Sequence, residues 1–282
     1  MKLHAYAKLN LSLRVESRQA DGFHNIRSCV QTIDLHNTLT VEEKGERILL
    51  ENDAGIPSTE DLIMKAIELI LTAKKCEKGL HVVVKKQIPI GAGLGGGSSD
   101  AAAALWAVDR LTPPLLPPEA LTHLAAALGS DVPLFLTGGR LSLRGKGDVV
   151  LPSPTRSQET YLLLVPPVRC STASVYAHFD RLRKSSPAPT DSTLGENDLE
   201  PAALGLYPAL IPYRDAVKAL TASYAGMTGS GAAFYAAFPD HDPATAAKDE
   251  LTETFPEARL YLCRGTDSGF RVIEEDNDAD RH

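Results

Sequence analysis

Between Pro89 and Asp100 the chain reads PIGAGLGGGSSD. Gly91, Gly93, Gly95, Gly96 and Gly97 carry no Cβ to hold a ligand off the main chain and tolerate positive φ, so this loop can wrap an anion. Ser98 and Ser99 are good N-caps and the alanines after Asp100 favour helix, which predicts a helix starting at or near Ser98. Its free N–H groups and the positive end of its dipole would face the loop and bind phosphate without a lysine. The preceding run LHVVVK is strand-like, so the segment reads strand, loop, helix rather than flexible linker. Two common phosphate motifs are not satisfied. A Walker A loop needs lysine where Gly97 stands; a dinucleotide fingerprint needs an acid-ended strand about 20 residues on, where this chain has TPPLLPP. The HRD and DFG signatures of protein kinases are absent.

Other residues offer chemistry with simpler alternatives beside it. Over residues 5–15 Leu9, Leu11, Leu13 and Val15 alternate with Lys8, Asn10, Ser12 and Arg14, the pattern of a half-buried strand. Lys8 and Asn10 share a side, about 7 Å apart, which suits one anionic ligand or a merely solvated face. Phe23 and His24 follow the Asp21-Gly22 turn and could be core and cap. Asp131, before Val132-Pro133, has the place of a helix cap or turn residue. Asp100 lies beside the proposed phosphates, but an acid in a first helical turn is explained by the dipole. Tyr176 fits an amphipathic helix, and Thr228, Gly229, Ser230 and Gly231 fit a tight hairpin.

The elements that must position these residues need more than one small domain, as 282 residues allow. Hydrophobic content of 43% with 23% charged residues is that of a globular protein. A net charge of −7 argues against a general nucleic-acid or anionic-membrane binder. The N-terminal alternation has no long apolar span or cleavage site, so cytoplasm is the default expectation. The four cysteines form no CxxC and the eight histidines no HxxxH, so no zinc spacing is present. Helices are expected over 59–74 with Thr59 as cap, from the glycine loop to Leu111, from Pro118 to Leu128, and over 207–223. Strands are expected after Asp21-Gly22 into Val41, over 139–143, 148–151 and 161–165, and a last one over 259–263. PSPTRSQE reads as a linker, KSSPAPTDST as a loop.

Taken together, AKLNL, DGFH, PIGAGLGGGSSD with GSDVP, and TGSG resemble the ordered motifs of the GHMP kinases. AKLNL and DGFH resemble the branch of that superfamily acting on a cytidine diphosphate sugar alcohol. The resemblance implies an α+β, two-domain GHMP kinase fold: a ribosomal-protein-S5-like ATP domain over 1–152, an α+β substrate domain over 153–273, and a disordered acidic tail over 274–282. It implies ATP with Mg²⁺, and transfer of the γ-phosphoryl to the 2-hydroxyl of 4-diphosphocytidyl-2-C-methyl-D-erythritol in the non-mevalonate isoprenoid route. Pro89, Gly91, Gly93, Leu94, Gly95, Gly96, Gly97, Ser98 and Ser99 would hold ATP. Asp131 would accept the hydroxyl proton, with Lys8 beside it, and Asp100 is not catalytic. Asn10, Phe23, His24, Tyr176 and Thr228 to Gly231 would bind the substrate, Phe23 and Tyr176 as rings and His24 at the base edge. Asn197 and Asp198 are structural in this reading. Asp61 stands where the family commonly has an asparagine near adenine. Another small alcohol as acceptor, or a nucleotide-binding regulator without catalysis, are the alternatives.

Overall fold

The computed structural model describes residues 1–57, 60–153, 158–183 and 193–274. Thr59, the centre of the 152–159 linker, residues 184–192 and the tail from 275 on lie outside the described residues.

Two long strands, β1 (Lys2–Arg18) and β2 (His24–Glu43), pair antiparallel from Lys2↔Thr40 to Arg18↔His24. β3 (Ile48–Asn52) runs parallel to β4 (Leu80–Lys85), which pairs with β2; β5 (Arg140–Arg144) pairs with β2 and with β6 (Val149–Pro152). On one face lie α1 (Leu62–Lys74), α2 (Gly96–Leu111), α3 (Pro118–Leu128) and α4 (Val132–Thr137), whose Ile63, Ile67, Ala101, Leu105 and Phe135 share a core with Leu3, Leu39, Val41 and Val82 of the sheet.

A second sheet comprises β7 (Thr160–Val165), β8 (Tyr224–Met227), β9 (Phe234–Phe238) and β10 (Arg259–Arg264), in the order β10-β7-β9-β8. α5 (Thr172–Arg183), α6 (Glu200–Leu206), α7 (Ile211–Ala219) and α8 (His241–Thr254) belong to this half. β7 explains how the halves join. Its Leu162 and Leu164 pack with Val175, Phe179, Val217 and Leu251 of the helices, while Tyr161, Leu163 and Val165 pack with Leu9 and Leu11 of β1. With both faces covered, a continuous apolar run is what such a strand requires.

Several expectations are corrected. β1 is not half-solvated: from Ala5 to Leu13 every residue is buried, Lys8 and Asn10 among them at the edge of the cleft described below. The expected helix over 207–223 is divided into a 3₁₀ turn, Pro208–Leu210, and α7, with prolines at 208 and 212. The last strand is β11 (Phe270–Glu274), which returns to pair with β1, Ala5 facing Phe270. A boundary at 273 therefore cuts through a strand of the first sheet, and Glu274 is strand rather than tail. Among the described residues no helix is long and apolar enough to cross a membrane.

Candidate active site

A cleft of about 1200 Å³ runs between the two halves, lined by β1, the glycine loop, the hairpin between β5 and β6, and α5. α2 starts at Gly96, two residues before the expected cap. Gly95 takes the cap position in left-handed conformation, φ 71°, and makes no side-chain cap bond. The first bond into the helix is Ser99 N–H to Gly95 O at 2.9 Å, so the N–H groups of Gly96, Gly97 and Ser98 precede the helical ladder. Ser98 lines the cleft, whereas Ser99 is fully buried and its Oγ has no hydrogen-bond partner.

The glycines serve different ends. A Cβ on Gly95 would lie 2.9 Å from Phe135 Cζ and 3.1 Å from Lys8 Cγ, so this glycine makes room for the catalytic candidate's own stem. A Cβ on Gly93 would lie 2.5 Å from Thr228 O, so here the loop meets the 228–231 turn of the second half. Gly97 is different: its nearest neighbour would be Leu62 Cδ1 at 3.9 Å, which leaves it open to an approaching ligand. Leu94 O accepts from Lys8 N–H at 3.0 Å, tying the loop to β1.

Lys8, 4% exposed, reaches across this loop. Its Nζ donates to Asn10 Oδ1 at 2.5 Å and lies 3.5 Å from Asp131 Oδ2. Asn10 in turn donates through Nδ2 to Ser28 Oγ at 2.8 Å, and its backbone N–H donates to Thr228 Oγ1 at 2.9 Å. Asn10 therefore aligns Lys8 while itself lining the cleft, and Thr228, wholly buried and not among the cleft residues, anchors β1 instead of facing substrate as expected. Gly231, like Thr228, is not among the cleft residues, whereas Gly229 and Ser230 are, and Ser230 Oγ bonds Thr172 Oγ1 at 2.8 Å. Asn197 donates to Met227 O and Gly229 O, both at 2.8 Å, in the structural role expected of it.

Asp131 stands at the N-cap position of α4 yet makes no side-chain cap hydrogen bond. Its carboxylate is 37% exposed on the cleft floor. The capping explanation thus does not account for it. Asp100 is the opposite case: fully buried, bonded to Asn37 Nδ2 at 2.9 and 3.0 Å and to Lys86 Nζ at 2.5 Å, and not among the residues lining the cleft. Burial pushes its carboxyl up to about 6, against the opposing pull of Lys86 and Asn37. Asn37 also accepts from Gln87 and Ile88 N–H, each at 2.8 Å, so this cluster fixes where the glycine loop leaves β4.

At the far end Phe23 is 59% exposed, with Lys146 Nζ 5.4 Å from its ring centre. His24 does not stand open: Nε2 lies 2.7 Å from Asp180 Oδ1 and the ring stacks on Tyr176 at 5.2 Å. Burial, and then the Asp131 carboxylate, push the Tyr176 phenol up to about 12. One Tyr176 face is thus already occupied. At the other end Ile56, Leu62, Ile88 and Ile90 supply apolar lining, and Asp61 caps α1 through Ile63 N–H at 3.0 Å instead of pointing to a ligand. Lys86, Lys146 and Asp180 escaped the sequence reading; Asp180 alone left a signal, one helical turn beyond Tyr176.

Comparison with known proteins adds independent findings. The GHMP kinases N terminal domain matches residues 61–139 and the GHMP kinases C terminal matches residues 179–257. A Thiobacillus denitrificans protein named 4-diphosphocytidyl-2-C-methyl-D-erythritol kinase is 35% identical over 271 residues, 93% of this chain and 94% of its own. A Bordetella pertussis protein of the same name is 34% identical over 99% of this chain and 95% of its own. A crystal structure of 4-(cytidine 5'-diphospho)-2C-methyl-D-erythritol kinase superposes with a TM-score of 0.78 at 31% identity, over 94% of this chain and all of that one. Homoserine kinase from Cytophaga hutchinsonii, at 17% identity, 97% coverage of both chains and a TM-score of 0.72, shares the fold.

Proposed function

Because the chain belongs to the 4-diphosphocytidyl-2-C-methyl-D-erythritol kinase family of GHMP kinases, we propose that Asp131 and Lys8 carry its phosphoryl transfer. The enzyme is an ATP-dependent kinase that phosphorylates the 2-hydroxyl of 4-diphosphocytidyl-2-C-methyl-D-erythritol in isoprenoid precursor synthesis, giving the 2-phosphate and ADP. The observation that carries the residue assignment is the Lys8–Asp131 pair, uncapped and open on the cleft floor beside the glycine loop.

Phosphoryl transfer asks a protein mainly for in-line positioning and for neutralisation of charge. Asp131 Oδ1 is not held by Lys8 and is the atom to take the hydroxyl proton. Lys8, aligned by Asn10, stands 3.5 Å from the carboxylate and offers positive charge to the forming bond. The N–H groups of Gly96, Gly97 and Ser98 receive the ATP phosphates, and Ile56, Leu62, Ile88 and Ile90 flank the adenine. Phe23 and the free face of Tyr176 border the cytosine, with His24 at its edge, and the enzyme works in the cytoplasm.

Among the described residues no three or more His, Cys, Asp or Glu converge as a metal cage. A Mg²⁺ ion brought in with the nucleotide at the N–H groups of Gly96, Gly97 and Ser98 would supply neutralisation of the phosphate charge. An ADP-release assay on 4-diphosphocytidyl-2-C-methyl-D-erythritol, mevalonate, homoserine and galactose tests the whole reading. Turnover confined to the first supports it; preference for another alcohol moves the acceptor, and no turnover on any of the four refutes it.

A further inference from the structure

His24 opens β2 in one half of the molecule, but its ring is held by the other half. Nε2 lies 2.7 Å from Asp180 Oδ1, the ring face stacks on Tyr176 at an interplanar angle of 28°, and Phe179 meets the ring edge-on at 6.3 Å. All three partners belong to α5, and Tyr176 and Asp180 are one turn apart, so a single helical face supplies both the stacking surface and the carboxylate. Arg18 Nη1, 3.5 Å from Asp180 Oδ2, engages the second carboxylate oxygen.

A carboxylate only accepts hydrogen bonds, so this contact requires the His24 proton on Nε2. In the neutral ring Nδ1 is then a bare acceptor. Nδ1 makes no hydrogen bond among the described residues, and His24 and Asp180 both line the cleft. The ring is 93% enclosed by its neighbours, with 7% of the side chain exposed, so it has little freedom to turn over and present the other nitrogen.

Resting on the reading of His24 as the base-edge residue, we propose that Asp180 is a positioning residue that sets the enzyme's base preference by locking the His24 tautomer. An acceptor at Nδ1 takes the exocyclic amino group of cytosine and opposes the carbonyl that uracil carries at the same ring position. A ring released from Asp180 can move its proton to Nδ1 and donate to that carbonyl instead. Specificity is thereby written in a carboxylate that need not touch the base.

The test compares wild type, Asp180→Ala, Asp180→Glu and His24→Ala on the cytidine and uridine diphosphate forms of the same alcohol, with ¹⁵N ring shifts of His24 recorded in the folded proteins that retain it. Wild type should show the Nε2–H tautomer, and Asp180→Ala a mixture. The ratio of kcat/KM for the cytidine form over the uridine form should fall about tenfold or more in Asp180→Ala, chiefly through a lower KM for the uridine form. Asp180→Glu should recover part of both the ratio and the tautomer. In the double variant, removing Asp180 from the His24→Ala protein should change the ratio no further. If Asp180→Ala keeps tautomer and preference while His24→Ala loses the preference, the positioning role is overturned and His24 stands as the edge reader. If His24→Ala itself keeps the preference, both ideas fall.

Discussion

Two lysine–aspartate pairs flank the glycine loop, one behind it and one in front. Lys86–Asp100 is closed: the atoms are 2.5 Å apart, the side chains 8% and 0% exposed, and Asn37 satisfies both carboxylate oxygens. Lys8–Asp131 is open: the atoms are 3.5 Å apart, and the lysine is 5% exposed against 37% for the aspartate. A carboxylate buried completely and away from the cleft presents no lone pair to a substrate proton, and moving it would leave a buried cation unpaired. A carboxylate held from one side by a lysine and exposed on the other has an oxygen to spare. The same two residue types thus make a structural clamp in one setting and, in the proposed mechanism, a proton acceptor in the other, with the packing around them setting the difference.

Breaking the front pair should cost the most turnover. Lys8→Met keeps the stem that fills the space beside Gly95 but removes the charge, and kcat should fall by about two to three orders of magnitude, measured as ADP release at saturating substrates. A loss under fivefold would leave Lys8 a structural residue. Tyr176→Ala should raise KM for the cytidine substrate by about one to two orders of magnitude while the ATP Kd stays unchanged, since base stacking is worth roughly 1–3 kcal/mol; a wild-type KM would move the cytosine elsewhere. Gly97→Ala sharpens the position of the phosphates. The open surroundings of Gly97 predict no loss of thermal stability, but ATP affinity should weaken about tenfold by calorimetry if phosphate closes on this backbone.

The back pair should respond in stability more than in rate. Asp100→Asn should lower Tm yet reduce kcat less than about tenfold, because Lys86 loses its partner while the cleft floor is untouched. The pH dependence has a defined sign. The folded carboxyl titrates at about 6, above its ordinary 3.8, so its contribution to stability is full below the ordinary value and is lost as pH rises through about 6. The Tm advantage of wild type over Asp100→Asn should therefore shrink as pH rises from 3.8 to about 6 and level off above that, by differential scanning calorimetry; a widening gap would reverse the assignment of cause.

The front pair was legible in the sequence and the back pair was not, for a physical reason. The glycine loop is found by local reading, and Lys8 as one of two readings of its strand face; Asp131 alone reads as a cap or turn residue, and it is the resemblance carried by the ordered motifs that points to it as the proton acceptor. Lys86–Asp100–Asn37 and His24–Asp180 are assembled by contacts 63 and 156 residues apart, and no local period announces them. Gly95 was read as an opening for phosphate, but the clash it avoids is with Lys8 and Phe135, a fact that only packing reveals. Thr228 belongs to a motif that meets the substrate side, yet it is wholly buried with its hydroxyl accepting from Asn10 N–H, while Asn10 lines the cleft with its side chain bonded to Lys8 and Ser28. β7 was legible as an apolar run; that its two faces serve two different cores was not.

The difference between the two carboxylates is tested most directly by kcat for Asp131→Asn and Asp100→Asn, measured side by side on proteins shown to be folded and to bind ATP. Asparagine preserves size at both sites and removes the proton acceptor at one. Asp131→Asn should lose at least about a hundredfold in kcat with its ATP Kd nearly intact, and Asp100→Asn much less. Retained turnover in Asp131→Asn, or a larger loss at Asp100 than at Asp131, would contradict the assignment of the open pair as the catalytic one.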